Sequence, residues 1–368
     1  MSDNPLRVLH VFGELQRGGA ELRTIELAES FAARQVRSDF LVLTGREGPL
    51  DDRVRAAGGE VIKCRLGPGF PASFLRILRS RGYDVVHSHV HYFSGVILTL
   101  AGLAGVPGRV AHFRSAIAND RRDTLVRRLQ LAVCRRLVHV SATDILAVGV
   151  GTMERAWSCA WRSDRRCRVI HTGIPVRILP ERAAESARPP RLVNVASIQP
   201  LKNQLRLVGI FQRCLLDVPD LELVLAGREV GDYGARIRRA AEDAGIAGRL
   251  RLVGEVDDPV PLIAGSSLMV LPSQWEGLPG AVLEACAVGV PVLASDLPGT
   301  RELAAHFPHL TLLSLDAGDD IWAAAAVCLV RAARPSNREA TAAFARSAFT
   351  MARTRAAHYE VWSRARAS

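Results

Sequence analysis

The stretch from Leu268 to Glu302, LMVLPSQWEGLPGAVLEACAVGVPVLASDLPGTRE, constrains this chain more than any other. An apolar run, Leu268 to Leu271, ends at Pro272-Ser273. A helix pattern then starts at Pro279 and stops before Gly289 and Pro291, since proline suits a first helical turn and glycine a terminus. A second apolar run, Pro291 to Ala294, passes through Asp296-Leu297-Pro298-Gly299 into another helix start. The spacing predicts a strand, a helix, a strand and a helix, a unit that leaves its ligands at the carboxyl ends of the strands.

Those ends carry specific chemistry. Glu276 lies in the loop and Glu284 about a turn and a half inside the helix, so both carboxylates can face a ligand placed over the helix N-terminus. Between them Gly280 and Ala281 supply free backbone N–H groups at the positive end of the helix dipole, which makes an anion site. Two acceptor-only carboxylates around an anion site suit a ligand with a phosphate centre and hydroxyls on either side, and a nucleotide sugar has that layout. The alternative is a surface carboxylate pair flanking a core helix.

The pattern PSxWEGLPxxxLEAxAxGVPVxASDxPGxxE resembles the glutamate-pair signature of retaining, GT-B-fold glycosyltransferases of family 4, the glycosyl transferases group 1. The resemblance implies that Glu276 binds hydroxyls of the donor sugar and Glu284 the ribose of the nucleotide. Leu278, Gly280 and Ala281 would complete the donor contacts. It also implies an α/β chain of two facing Rossmann-like domains with a C-terminal helix crossing back to the first. The expected boundaries are 1–185 for an acceptor-side domain, 186–337 for the nucleotide-sugar domain and 338–368 for a helical tail, with Tyr359 and Trp362 packing on the N-terminal half.

A length of 368 residues with 48% hydrophobic content is enough for two full cores. The start, MSDNPLRVLHVFGEL, lacks the basic region and cleavage site of a signal peptide. Phe93 to Val106 is too short and glycine-rich for a good spanning helix and reads as a buried one. Seven cysteines, scattered and without CxxC spacing, suggest neither a disulfide framework nor a zinc site and fit a reducing cytoplasm. A net charge of +11 suits acidic partners such as anionic lipid or phosphorylated substrates, while no nucleic-acid motif accompanies it. Of the 48 basic residues only Lys63 and Lys202 are lysine, so a lysine here survives a strong bias toward arginine.

In the N-terminal half, short apolar runs alternate with helical patterns, which argues for a parallel sheet wrapped by helices. The first loop holds Gly18 and Gly19 before a helix start. A plain turn accounts for them, and they also resemble the family's glycine loop after the first strand. His87, His89 and His91 alternate at a strand end and would share one face. Metal ligation is the sharp reading; with no carboxylate or cysteine nearby, satisfied or loop-facing histidines are favoured and no metal is expected. His112 closes the next strand and is similar to the family's strand-end histidine beside the transferred sugar, a structural role being the competing reading. From Asn119 to Arg136, arginines including Arg121 and Arg122 surround an apolar stripe. Such a helix can lie on an anionic membrane or be a solvated face. Val138 to Ser141 reads as a further strand end, and Glu181 to Arg191 as the linker.

The second half restarts the alternation at Leu192 to Ala196. Its first loop contains Ser197 and Lys202. In the family this loop carries an arginine and a lysine that bind the donor diphosphate; Lys202 matches the lysine, and Ser197 stands at the arginine position. That departure removes a cation where charge-assisted bonds to phosphate matter most.

The expected activity is retaining transfer of a hexose from a nucleotide diphosphate sugar, a UDP-sugar favoured over a GDP-sugar, to an acceptor hydroxyl. No cofactor and no metal are expected. The acceptor would be a lipid-linked saccharide, a glycan or a small metabolite, in envelope or extracellular polysaccharide or glycolipid assembly. The expected location is the cytoplasm, with peripheral contact at the membrane's inner face as an extension. A small soluble acceptor, a non-catalytic nucleotide-sugar-binding homologue and a sugar-nucleotide epimerase are the alternatives.

Overall fold

A computed structural model describes residues 4–32, 35–115, 124–177 and 189–365. The chain divides into two compact units, residues 1–174 with 351–368, and residues 175–350.

In the first unit seven strands form one parallel sheet. They are β1 (Leu6–Phe12), β2 (Val36–Val42), β3 (Val61–Lys63), β4 (Val85–Ser88), β5 (Gly108–Phe113), β6 (Asp144–Ala147) and β7 (Cys167–Val169), in spatial order β3-β2-β1-β4-β5-β6-β7. A parallel sheet is covered on both faces, so its strands read as apolar runs. Successive residues of β1 accordingly enter different cores. Leu9 and Val11 pack with Phe74, Ile97 and Leu98, whereas Val8 packs with Val85, Val110, Leu146 and Trp362. Trp362 comes from the helix Met351–Arg364, and it and Tyr359 lie 5.6 Å and 6.2 Å from the Phe31 ring.

The second unit repeats the scheme with β8 (Arg191–Val195), β9 (Glu222–Ala226), β10 (Leu250–Gly254), β11 (Leu268–Leu271), β12 (Val292–Ser295) and β13 (Leu310–Leu313), ordered β10-β9-β8-β11-β12-β13. Strand order reverses between β1 and β4 in one sheet and between β8 and β11 in the other. At such points the flanking connections leave in opposite directions and open a crevice at the carboxyl ends. The second crevice starts early, because β8 and β11 pair only at Leu192 with Leu268 and Val193 with Met269. Beyond them the buried Asn194 fills the gap. Its Nδ2 donates to the Val270 carbonyl at 2.8 Å, and its Oδ1 accepts from Gln204 Nε2 at 3.3 Å.

The expected strand end at Val138 to Ser141 is instead the last turn of a helix, Leu125–Ser141. Only Cys134 and Val138 are buried on it, a spacing of four that matches a helical period and not a strand's alternation. The Thr124 hydroxyl caps its start by accepting from the Arg127 N–H at 3.3 Å. Arg121 and Arg122, expected on this helix, lie outside the described residues, as does most of the expected linker. Among the described residues no helix is long and apolar enough to cross a membrane.

Candidate active site

In the second unit the loops after β8 and β11 meet over the crevice. After β8 a 3-10 turn, Pro200–Lys202, is followed by Asn203 with φ at +58°, in the left-handed region that asparagine tolerates better than most residues. That reversal ends the turn at Lys202 and lets the helix Gln204–Asp217 begin at once. The Gln274 N–H, from the loop after β11, donates to the Leu201 carbonyl at 2.9 Å and ties the two loops together. Beside this tie Lys202 Nζ donates to Glu276 Oε1 at 2.7 Å, with side-chain exposures of 20% and 8%. Two partners at a crevice predicted from distant stretches of sequence are thus in direct contact.

The helix Gly280–Ala287 begins just beyond. Its N-cap, Pro279, offers no side-chain acceptor, so no capping side chain competes with an anion for the first amides, those of Gly280 and Ala281. Leu278, Val282 and Leu283 are buried and fix the helix start, and Glu284 is buried as well, 5% exposed. Gly299 explains the Pro-Gly of the motif. A Cβ there would sit 1.5 Å from the Gly277 carbonyl oxygen, so only glycine lets the helix Pro298–Ala304 pack against the loop carrying Glu276.

Ser197 contributes no charge; its hydroxyl accepts from Gln199 Nε2 at 2.6 Å. Ser273 was legible only as punctuation after a strand. Its hydroxyl is fully buried and has no hydrogen-bond partner among the described residues, which makes it a further polar group at the mouth of β11.

In the first unit Gly18 caps the helix Gly19–Glu29. A Cβ on Gly18 would meet only the mobile end of the Glu21 side chain and Gly19 has open space around it, so packing does not require glycine at either position. Arg114, two residues past His112, reaches the same loop and donates from Nη2 to the Ala20 carbonyl at 3.3 Å. Burial lowers its pKa to about 10, partly offset by the neighbouring Glu21. A guanidinium with that pKa remains charged near neutrality, so the glycine loop holds a cation that neither its position nor its spacing announced.

His112 belongs to a cluster that the sequence revealed only in fragments. His10 of β1, His87 of β4, His89 just after it, His112 of β5 and His358 of the C-terminal helix stack with ring centroids 4.4 to 5.7 Å apart. His91 does not join the face it was expected to share. Its φ of +51° turns it out of register, and its ring packs on Tyr92 and Phe113. Within the cluster Trp362 Nε1 donates to His87 Nδ1 at 3.2 Å, His87 Nε2 lies 3.0 Å from His112 Nδ1, and His10 Nδ1 lies 3.2 Å from His89 Nε2. By distance two groupings could hold a metal ion, His10/His87/His89 and His87/His112/His358. Both need His87, whose two nitrogens already face Trp362 and His112.

Burial is the first cause of lowered pKa in all five, with mutual repulsion and Arg114 adding to it in most. His10 falls to about 3, His358 to about 4, and His87, His89 and His112 well below the ordinary value of 6.5. Below pH 6.5 the unfolded chain therefore binds more protons than the fold. The stability these groups contribute is complete above pH 6.5 and is lost as pH drops, at about 1.4 kcal/mol per pH unit for each histidine. Thermal melts at pH 7.5 and 5.5 are expected to show a marked loss of stability in the lower-pH sample, absent when the cluster is replaced by apolar residues. Equal midpoints in the wild type would contradict this assignment.

Sequence comparison matches residues 18–173 to the glycosyl transferase 4-like domain and residues 177–321 to the glycosyl transferases group 1 family. Among curated relatives, the capsular polysaccharide biosynthesis glycosyltransferase CapH of Staphylococcus aureus is 26% identical over 82% of this chain and 84% of its own. EpsF of Bacillus subtilis (strain 168) is 28% identical over 91% and 90%. Among solved structures, HepE of Anabaena in complex with UDP-glucose superposes with a TM-score of 0.79 at 18% identity, over 98% of this chain and all of that one. With two doubly wound parallel sheets and both domain families matched in order, the chain belongs to the GT-B glycosyltransferases.

Proposed function

We propose that this glycosyltransferase moves a hexose, with retention, from a nucleotide diphosphate sugar to an acceptor hydroxyl in envelope or extracellular polysaccharide or glycolipid assembly. The observation that carries this is the Lys202–Glu276 pair beside the uncapped helix at the β8/β11 crevice. CapH acts in capsular polysaccharide biosynthesis and HepE was solved with UDP-glucose, which supports a UDP-sugar and a saccharide acceptor.

In this reading the diphosphate lies against the Gly280 and Ala281 amides and draws Lys202 toward it. Glu276, released from the ammonium group, accepts from hydroxyls of the sugar, and Glu284 from those of the ribose. As the glycosidic C–O bond breaks, the electron pair leaves with the nucleotide phosphate. That phosphate takes the acceptor hydroxyl's proton on the face from which it departs, so the new bond forms with the original configuration and no enzyme nucleophile is needed. Lys202 and the helix amides stabilise the charge that develops on the leaving group, the kind of contribution that weighs most in such reactions. The reaction then needs no divalent cation.

The helix Leu125–Ser141 supports an acceptor at a lipid surface. Leu125, Val126, Leu129 and Val133 are 51–82% exposed on it, next to the exposed Arg135 and Arg136. The chain would work in the cytoplasm with this helix on the membrane's inner face. Ser197, neutral at the expected arginine position, favours a second reading in which the donor binds without turnover.

Turnover of labelled UDP-hexoses in the presence of chelator decides between them. Lys202→Ala is expected to lower kcat by about 10²–10³-fold, the scale of removing one stabilising donor from a developing anion. Glu284→Ala is expected to abolish the thermal stabilisation by nucleotide, which is about 2.7 kcal/mol at a hundredfold excess over Kd. Donor binding with no turnover on any acceptor would favour the binding-only reading, and rates unchanged by both substitutions would sink the site assignment. For the helix, sedimentation with anionic vesicles is expected to carry the protein down and Leu129→Glu to release it; equal binding to neutral vesicles would contradict a charge-assisted contact.

A further inference from the structure

Hydrogen bonds to groups of fixed donor or acceptor character set where the protons of His87, His112 and His358 sit. Indole Nε1–H can only donate, so His87 Nδ1, 3.2 Å away, must present a lone pair. A neutral imidazole then carries its proton on Nε2, which lies 3.0 Å from His112 Nδ1. His112 Nδ1 must accept it, and the single proton of His112 is left on Nε2. That N–H is buried and has no acceptor among the described residues.

We propose that Trp362 and His87 are positioning residues that lock His112 in its Nε2–H tautomer, so that His112 meets a substrate oxygen as a hydrogen-bond donor and cannot serve as a base. Its one lone pair is occupied by His87, and its one proton has no acceptor among the described residues. A buried donor without a partner carries a desolvation cost that a ligand oxygen would relieve. The chemical class that fits is a neutral or anionic oxygen acceptor, such as a sugar hydroxyl. Burial keeps both rings neutral near pH 7, as the direction of their pKa shifts agrees.

The opposite polarity at His358 shows that the cluster is not uniform. Its Nδ1 lies 2.8 Å from the Thr354 carbonyl, which can only accept, so His358 carries its proton on Nδ1 and leaves a buried lone pair on Nε2. Two tautomers of opposite sense therefore stand side by side on β5 and the C-terminal helix, each set by a group of fixed donor or acceptor character.

The inference rests on reading His112 as a substrate-facing group, but the tautomer can be read in the free protein without turnover. Long-range proton–nitrogen NMR correlation on full-length protein labelled at histidine, with His112 assigned through His112→Gln, reports which ring nitrogen is protonated. The expected result is a protonated Nε2 and a lone pair at Nδ1 of His112 in the wild type. Trp362→Phe and His87→Leu are expected to replace this with an averaged, mixed-tautomer pattern. His87→Gln is expected to retain it, since an amide oxygen can accept from Trp362 while its NH₂ donates to His112. A proton on Nδ1 of His112 in the wild type would overturn the proposal whether or not the variants fold, as would a fixed Nε2–H in both Trp362→Phe and His87→Leu. If the tautomer holds and His112→Ala leaves kcat/KM unchanged, the relay stands and the substrate-facing role fails.

Discussion

Two strands that pair for two residues and then part make the second unit's chemistry possible. Beyond Val193 and Met269, β8 and β11 no longer share backbone hydrogen bonds, and the Val270 carbonyl would be stranded in the interior. Asn194 answers it with a side-chain donor and is itself held by Gln204 at the start of the next helix. Burying an unpaired carbonyl would be costly, so the separation of the strands and the placement of the Lys202 turn are linked through this amide pair. Everything that distinguishes the site follows from the opening: the 3-10 turn reversing at Asn203, the Gln274–Leu201 tie, and the carboxylate and ammonium that face each other across it.

The Lys202–Glu276 pair has a consequence for binding. Charges taken out of water are tolerated when paired, and separating them in a low-dielectric site is expensive. In the proposed function a diphosphate would draw Lys202 away only because it brings more negative charge than Glu276 does, and the vacated carboxylate would then accept sugar hydroxyls. The Lys202–Glu276 contact holds both groups in place, and under that proposal it would favour ligands that satisfy both at once, a nucleotide sugar over a nucleotide alone. The first unit is built on a different compromise. It buries four imidazoles and half-buries a fifth in their neutral form, gives up stability in acid, and leaves unpaired ring nitrogens among otherwise well-packed strands.

How much of this the sequence disclosed depended on range. Leu268 to Glu302 was legible because strand, turn and helix signals follow one another without interruption, and because glutamates eight residues apart bracket a helix start. Lys202 stood out through the arginine bias. Its contact with Glu276 was not legible, since it depends on β8 and β11 becoming neighbours. The histidine cluster draws on four separate segments, and sequence exposed the alternating His87 and His89 and the strand-end His112, without His10 or His358 and without their meeting. Alternation then misled at His91, where a left-handed residue breaks the period. Val138 to Ser141 misled in the same way: β-branched residues suggested a strand, and the continuing burial of Val138 one turn after Cys134 kept the helix. Arg114 had no signal beyond its position after a strand, because its meaning lies in the loop it reaches.

The account's central claim is that a nucleotide diphosphate sugar is held at the β8/β11 crevice by the start of the Gly280 helix. Hydrogen–deuterium exchange of the full chain with and without saturating UDP-glucose, and the same comparison with other nucleotide sugars, tests that directly. The account predicts ligand-dependent protection of the Gly280 and Ala281 amides and of the turn from Ser197 to Gln204, with the β9 and β10 strands unchanged. Binding accompanied by protection confined to other segments, with those amides exchanging as before, would contradict it.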